Sequence, residues 1–188
     1  MDFKYKLYND QPITEKSIFT FKHCSRPEAS YCRDLFVHEY GANVIMQSVP
    51  FLAMIDGMVI GTAGVNRAMG PGVKKYFNAL MLQYAIGKSS DLYPRLSKLV
   101  AFGVTTTEFL SIVRNSVRSF DLHEFGYMRS CCWSRFPEIK SDRGVFKLDS
   151  REKISDTRYK LIYSTPFRNI TLQEALKQWL KKWGQTIK

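Results

Sequence analysis

Two apolar runs, Phe51-Leu-Ala-Met-Ile55 and Met58-Val-Ile-Gly-Thr62, meet at the dipeptide Asp56-Gly57. Asp-Gly supplies the positive φ angles that a type I′ turn requires, so the pattern predicts two antiparallel strands joined by a tight hairpin. A hairpin of this kind belongs in a sheet, and the elements around it say which sheet.

Ser25-Arg-Pro-Glu28 is a capping box with proline in the first turn. Cys32, Leu35, Phe36 and Tyr40 then recur at helical spacing up to Gly41, which predicts a helix over 27–40. Residues 77–86 and 96–102 read as apolar strands. Thr105-x-x-Glu108 is a second capping box, opening a helix with Leu110, Val113, Val117 and Phe120 on one face. Residues 127–133 return to a strand, and 158–164 form a last one after a charge-dense stretch with short strand-like pieces. Thr171-Leu-Gln-Glu174 is a third capping box, starting a basic C-terminal helix over 171–184. Its Leu172, Leu176, Trp179, Leu180 and Trp183 form a docking stripe, and Lys177, Lys181 and Lys182 the opposite face. With no internal repeat or linker, residues 1–188 read as one α/β domain: a mixed sheet with helices on both faces.

The chain has 188 residues, 45% of them hydrophobic, enough for a sizeable core. No run approaches the ~18 apolar residues of a membrane span. Charges in the first ten residues argue against a signal peptide, so a cytoplasmic location is expected, the host cytoplasm if the chain is phage-encoded. The four cysteines include one adjacent pair, Cys131-Cys132, and form no CxxC, so neither disulfides nor a metal site is expected. Twenty-eight Lys and Arg against seventeen Asp and Glu give +11. That balance points to a polyanionic partner, nucleic acid before all others.

The junction from 96 to 110 has two readings. A strand delivered into a helix start can hold phosphate on unpaired N–H groups, with Thr105, Thr106 and Thr107 adding hydroxyl donors. Equally, Glu108 already answers the helix dipole, which makes the turn a plain capped start. His38, beside Glu39 and Tyr40, is either a general base or a helix-end histidine on its dipole. On a strand Cys131 and Cys132 point to opposite faces, so at most one is a nucleophile facing a site, and core packing is the competing role. Trp133 and Phe136 sit among Arg135, Lys140 and Arg143, a mixture that suits stacking on an extruded base or simply covers a sheet edge.

Six stretches together resemble a known family. They are Val37-His-Glu-Tyr-Gly41, Ala53-Met-Ile-Asp-Gly-Met-Val-Ile-Gly61, Leu96-Ser-Lys-Leu-Val100, Thr107-Glu-Phe-Leu110, Tyr127-Met-Arg-Ser-Cys-Cys-Trp133 and Arg143-Gly-Val-Phe146. In this order they resemble the GNAT acyltransferase superfamily, and more closely the GNAT-like phage proteins related to Mom, which modify adenine in DNA. The resemblance implies a GNAT-like fold, acetyl-CoA or another acyl-CoA as cofactor, and acyl-type modification of a DNA base that protects against host restriction. It implies cofactor contacts at Leu99, Val100 and Thr105–Thr107, and catalytic roles among His38, Tyr40, Ser130 and Cys132. Ser97, Lys98, Ser134, Arg135, Lys140 and Arg143 would hold the nucleic acid, in a cleft between the strands at 96–102 and 127–133. Two features depart from the family: the basic-glycine phosphate loop is absent, and Cys131-Cys-Trp-Ser134 stands where the Mom-like pattern has an aspartate. Those departures keep a second class open, a non-catalytic basic phage protein that binds DNA or inhibits a host defence enzyme. An acyltransferase of small amines or proteins is a third class, and the oligomeric state stays open, homodimer included.

Overall fold

The computed structural model describes residues 3–36, 48–67, 78–120, 124–134, 141–142 and 144–184. In chain order these form β1 (Phe19–His23), α1 (Arg26–Phe36), β2 (Val49–Ile55), β3 (Met58–Arg67), β4 (Ala79–Gly87), α2 (Leu96–Gly103), α3 (Thr107–Ser116), β5 (Tyr127–Ser134), β6 (Ser141–Asp142), β7 (Phe146–Ser155), β8 (Arg158–Pro166) and α4 (Leu172–Trp183). A short 3-10 turn, Arg118–Phe120, follows α3.

The strands make one eight-stranded sheet in the order β1-β2-β3-β4-β5-β8-β7-β6. Every neighbouring pair of these strands is antiparallel except β4 with β5, which is parallel. The hairpin lies where the pattern places it, between β2 and β3, with Asp56 and Gly57 at φ 48 and 78. Helix α1 packs on one face over Leu52, Met54, Val59 and Tyr84. Helices α2, α3 and α4 pack on the other, around a core that includes Phe51, Leu80, Leu99, Phe109, Leu176 and Trp179. Among the described residues no helix is long and apolar enough to cross a membrane.

Two capping boxes form as expected. The Ser25 N–H donates to a Glu28 carboxylate oxygen at 2.8 Å, and the Thr171 N–H to Glu174 at 2.6 Å. Three expectations are corrected. Residues 96–102 are a helix, not a strand. Leu96, Leu99, Val100 and Gly103 follow helical spacing, but Ala101 and Phe102 are buried too, so from Leu99 to Phe102 the segment reads as a short continuous apolar run. Such a run does not separate a buried strand from a buried helix. The second capping box does not form either: Thr106, not Thr105, caps α3, accepting from the Phe109 N–H at 3.1 Å. The cleft between strands at 96–102 and 127–133 therefore does not exist, because β4, not 96–102, is the strand beside β5. The strands β1, β6 and β7 were not expected as defined elements. The first helix is described to Phe36, so the expected stretch to residue 40 lies outside the described residues.

Candidate active site

The parallel pair β4–β5 is short. Ala79 to Leu82 face Tyr127 to Ser130 rung by rung, and the pairing stops at Leu82–Ser130. Beyond that rung β4 continues beside β3 and β5 beside β8, and the two limbs, residues 83–87 and 131–134, no longer pair with each other. The cause is local. In the β3–β4 ladder Gly64 faces Tyr84 and Val65 faces Leu82, which leaves Gln83 as an extra residue. A bulge of this kind bends its strand and sharpens the twist. It also reverses which face the side chains meet: Leu80 and Leu82 pack with the α2–α4 core, Tyr84 and Ile86 with the α1 cluster. The bulge thus lies at the rung where the strands part, and the sheet opens there into a fork.

Helix α2 stands at the tip of the β4 limb. The Ser97 hydroxyl accepts from the Gly87 N–H at 2.9 Å. A Cβ at Gly87 would lie 2.3 Å from the Ser97 nitrogen, so the helix start approaches the strand as closely as only glycine permits. The start of α2 also differs from those of the other helices. Helices α1, α3 and α4 each begin with a Ser or Thr cap and a first-turn glutamate, at Ser25/Glu28, Thr106/Glu108 and Thr171/Glu174. Helix α2 begins at Arg95 with no side-chain cap and no acid in its first turn. Lys88, Arg95 and Lys98 surround it in sequence, Arg95 exposed and the two lysines half-buried. An uncapped helix start among cations attracts anions.

The expected site residues divide into three groups. Ser130, Cys132 and Ser134 lie on β5 at alternate positions and so share one face. Ser130 is at the apex of the fork, and Cys132 is partly buried against the main core. Ser97 and Lys98 lie in the first turn of α2, where Ser97 holds the β4 tip and the Lys98 ammonium sits 5.3 Å from the Trp183 ring centre. Leu99, Val100, Thr105 and Thr106 are fully buried. The Thr105 hydroxyl donates to the Phe102 carbonyl at 2.7 Å and the Thr106 hydroxyl to that of Gly103 at 2.9 Å. The Thr107 N–H donates to the Arg168 carbonyl, and the Arg168 N–H to that of Thr105. The Glu108 carboxylate accepts from the Leu172 N–H at 2.6 Å, capping α4 rather than its own helix. These bonds occupy the hydroxyls of Thr105 and Thr106 and the N–H of Thr107, which favours the plain capped start over the phosphate reading of the 105–107 turn. His38, Tyr40, Arg135, Lys140 and Arg143 lie outside the described residues.

The described titratable groups narrow the chemistry. Burial raises the Cys131 thiol above its ordinary value, outweighing the opposing pull of Lys160, so it is not an activated nucleophile. Arg129, on the same face, pairs with Asp149 at 3.2 Å. Burial pushes the Tyr84 phenol up to about 12, which keeps it protonated as a donor. The Arg33 guanidinium lies 4.7 Å from its ring centre. His23, the one imidazole among the described residues, is at the end of the edge strand β1, three strands from β4. Sequence reasoning missed Gln83, Lys88 and Arg95. For Gln83 the available signal was one polar side chain inside an otherwise apolar strand.

A family model described as phage GNAT-like domain matches residues 16–184. Among solved structures the chain is similar to AAC(6')-Ib in complex with parmomycin and acetyl-CoA, with 13% identity and a TM-score of 0.49 over 85% of this chain and 96% of that one. It is similar to the aminoglycoside 6'-N-acetyltransferase of Enterococcus faecium, with 8% identity and a TM-score of 0.45 over 80% and 98%. It is also similar to the IAA acetyltransferase of Bacillus cereus ATCC 14579, with 9% identity and a TM-score of 0.39 over 79% and 99%. No curated protein sequence matches the chain.

Proposed function

The chain belongs to the phage GNAT-like domain family, and on that premise we propose that it is an acyl-CoA-dependent transferase whose acceptor is a base of DNA. The observation that carries this reading is the fork. Two parallel strands that part after Leu82–Ser130 turn peptide groups toward a common gap, where an extended, amide-bearing arm would be held by backbone hydrogen bonds. The start of α2, with Lys88, Arg95 and Lys98, would take the phosphates at the end of that arm. This replaces the 105–107 turn as the anion site.

Acyl-CoA supplies a thioester carbonyl open to attack by an amine. The chain's own residues would fix the arm between the limbs and place Ser130 and Cys132 beside the reacting end. Tyr84 keeps its proton at neutral pH and is suited to donate a hydrogen bond, not to act as base. For proton removal from the acceptor we propose His38, two residues beyond the end of α1 in sequence, with Tyr40 as a proton donor to the leaving sulfur. Ser134, which ends the far limb of the fork, would grip the nucleic acid together with Arg135, Lys140 and Arg143, which follow it in sequence. The net charge of +11 supports a polyanionic acceptor.

One observation favours the non-catalytic reading. The loop 88–95 has no glycine, and the N-terminal segment ties it down: Asp10 accepts from the Ser90 hydroxyl, and the Ile13 N–H donates to the Tyr93 hydroxyl at 2.9 Å. A loop so held is less free to wrap a pyrophosphate. The deciding experiment incubates the protein with plasmid DNA and acetyl-CoA, digests to nucleosides and looks for a base heavier by one acetyl group. A mass-shifted base lost in His38→Ala supports the transferase. No shift, together with no thermal stabilisation by CoA, sinks it in favour of a binding protein.

A further inference from the structure

The first described residues alternate. Phe3, Tyr5 and Leu7 are partly buried against the α1-face cluster, while Lys4 and Lys6 between them are exposed. The segment is held as a short parallel bridge at Leu7–Val59, with the Val59 N–H donating to the Lys6 carbonyl at 2.8 Å and the Tyr8 N–H to that of Val59 at 3.0 Å. Alternation of this kind places one row of side chains on the protein and the other in solvent.

The inner row is not fully covered. Phe3 packs on Tyr31 of α1 with ring centres 4.8 Å apart, and on Tyr5 at 5.6 Å. Tyr31 stays 40% exposed, one of the few large hydrophobic side chains so open. Two ammonium groups converge on the Tyr5 ring, Lys22 from β1 at 5.2 Å and Lys4 at 5.6 Å. Among the described residues neither lysine makes an ion pair. The acid facing them, Glu28, is already turned to the Ser25 hydroxyl and N–H at 2.8 Å. The cluster beneath includes Tyr84 and Ile86 of the β4 limb, so this patch adjoins the α1 side of the fork.

We propose that Phe3, Tyr5 and Tyr31, with Lys4 and Lys22, form a stacking platform for a single-stranded stretch of nucleic acid. The proposal rests on the reading above that the acceptor is nucleic acid, and it names where the strand beside the reacting base lies. Open aromatic rings stack on bases of any identity, and cations beside them neutralise the flanking phosphates. A protein partner with an acidic face would use the same lysines and rings, and the oligonucleotide titration below separates it from nucleic acid.

The test measures fluorescence anisotropy of a labelled fifteen-nucleotide oligothymidylate against salt. Tyr31→Ser should weaken binding at least about fivefold, the lower end of what one base–aromatic stack contributes, and Tyr31→Phe should restore it. The pair Lys4→Glu with Lys22→Glu should lower the slope of log K against log salt by about 1.4, two phosphates at ~0.7 each. Lys147→Glu with Arg151→Glu on β7, an equal change of charge, should leave affinity within about twofold. If both charge reversals weaken binding alike, or an abasic oligomer binds as well and Tyr31→Ser is neutral, the platform is overturned. If the wild-type protein binds no oligonucleotide at low salt, the platform falls together with the nucleic-acid half of the proposed function. Thermal stabilisation by CoA reports separately on the acyl-CoA half.

Discussion

The junction at 105–108 separates a structural role from a cofactor role, and Glu108 is the residue on which to test it. Its carboxylate accepts from the part-buried Leu172 N–H at 2.6 Å, beside the Thr171/Glu174 box that starts α4. Glu108→Ala removes a hydrogen bond to a charged group and leaves that N–H without its partner, a loss of about 2 kcal/mol. For a chain of this size ~1 kcal/mol moves Tm by about 2–4 °C, so Tm should fall by about 4–8 °C. Glu108→Gln keeps an acceptor oxygen and loses only the charge–dipole part, about 0.3–1 kcal/mol, or roughly 1–4 °C. The assay is differential scanning fluorimetry with and without millimolar CoA. Both variants should keep the wild-type increment on adding CoA, because the proposed anion site is at the start of α2 and not here. A Tm within a degree of wild type would refute the cap. An abolished CoA increment at unchanged Tm would refute the assignment of the 105–108 turn to structure.

Two further outcomes are expected. Burial holds Cys24 and Cys32 near 12 and Cys131 above the ordinary thiol value, so these three thiols should be alkylated slowly at neutral pH. Mass spectrometry should then find Cys24 and Cys32 unmodified until denaturant is added and Cys131 modified faster as pH rises; rapid native labelling of Cys24 at pH 7 contradicts this. Glu28 is held below the ordinary carboxylate value, first by its bonds from Ser25 and then by Lys4 and Lys22. A lowered folded-state value contributes stability above the unfolded value that is lost as pH falls through the folded one. Glu28→Gln should therefore lower Tm at pH 7 and match wild type in strong acid; a deficit that grows on acidification contradicts the cap.

The comparison of expectation and structure runs along one line, the distance over which each decision is made. The Asp56-Gly57 turn and the Ser25/Glu28 and Thr171/Glu174 boxes follow from the sequence because each closes within four residues, through a φ angle or a side chain reaching its own backbone. The mixed sheet with helices on both faces was likewise readable from the order of apolar segments. Other features rest on contacts between distant parts of the chain. Residues 96–102 become a helix packed against β3, β4 and α4, and the apolar run Leu99–Phe102 inside them carries no period that separates helix from strand. The cap of α3 shifts from Thr105 to Thr106 because the segment at Arg168 zips onto the turn, and Glu108 is drawn away by Leu172, sixty-four positions along the chain. The fork depends on one extra residue, Gln83, whose effect exists only once β3 lies on one side of it and β5 on the other. Local signals determined where the Asp56-Gly57 hairpin turns and how α1 and α4 begin. The opening between β4 and β5, and so the candidate site, was decided by strand pairing that no local signal contains.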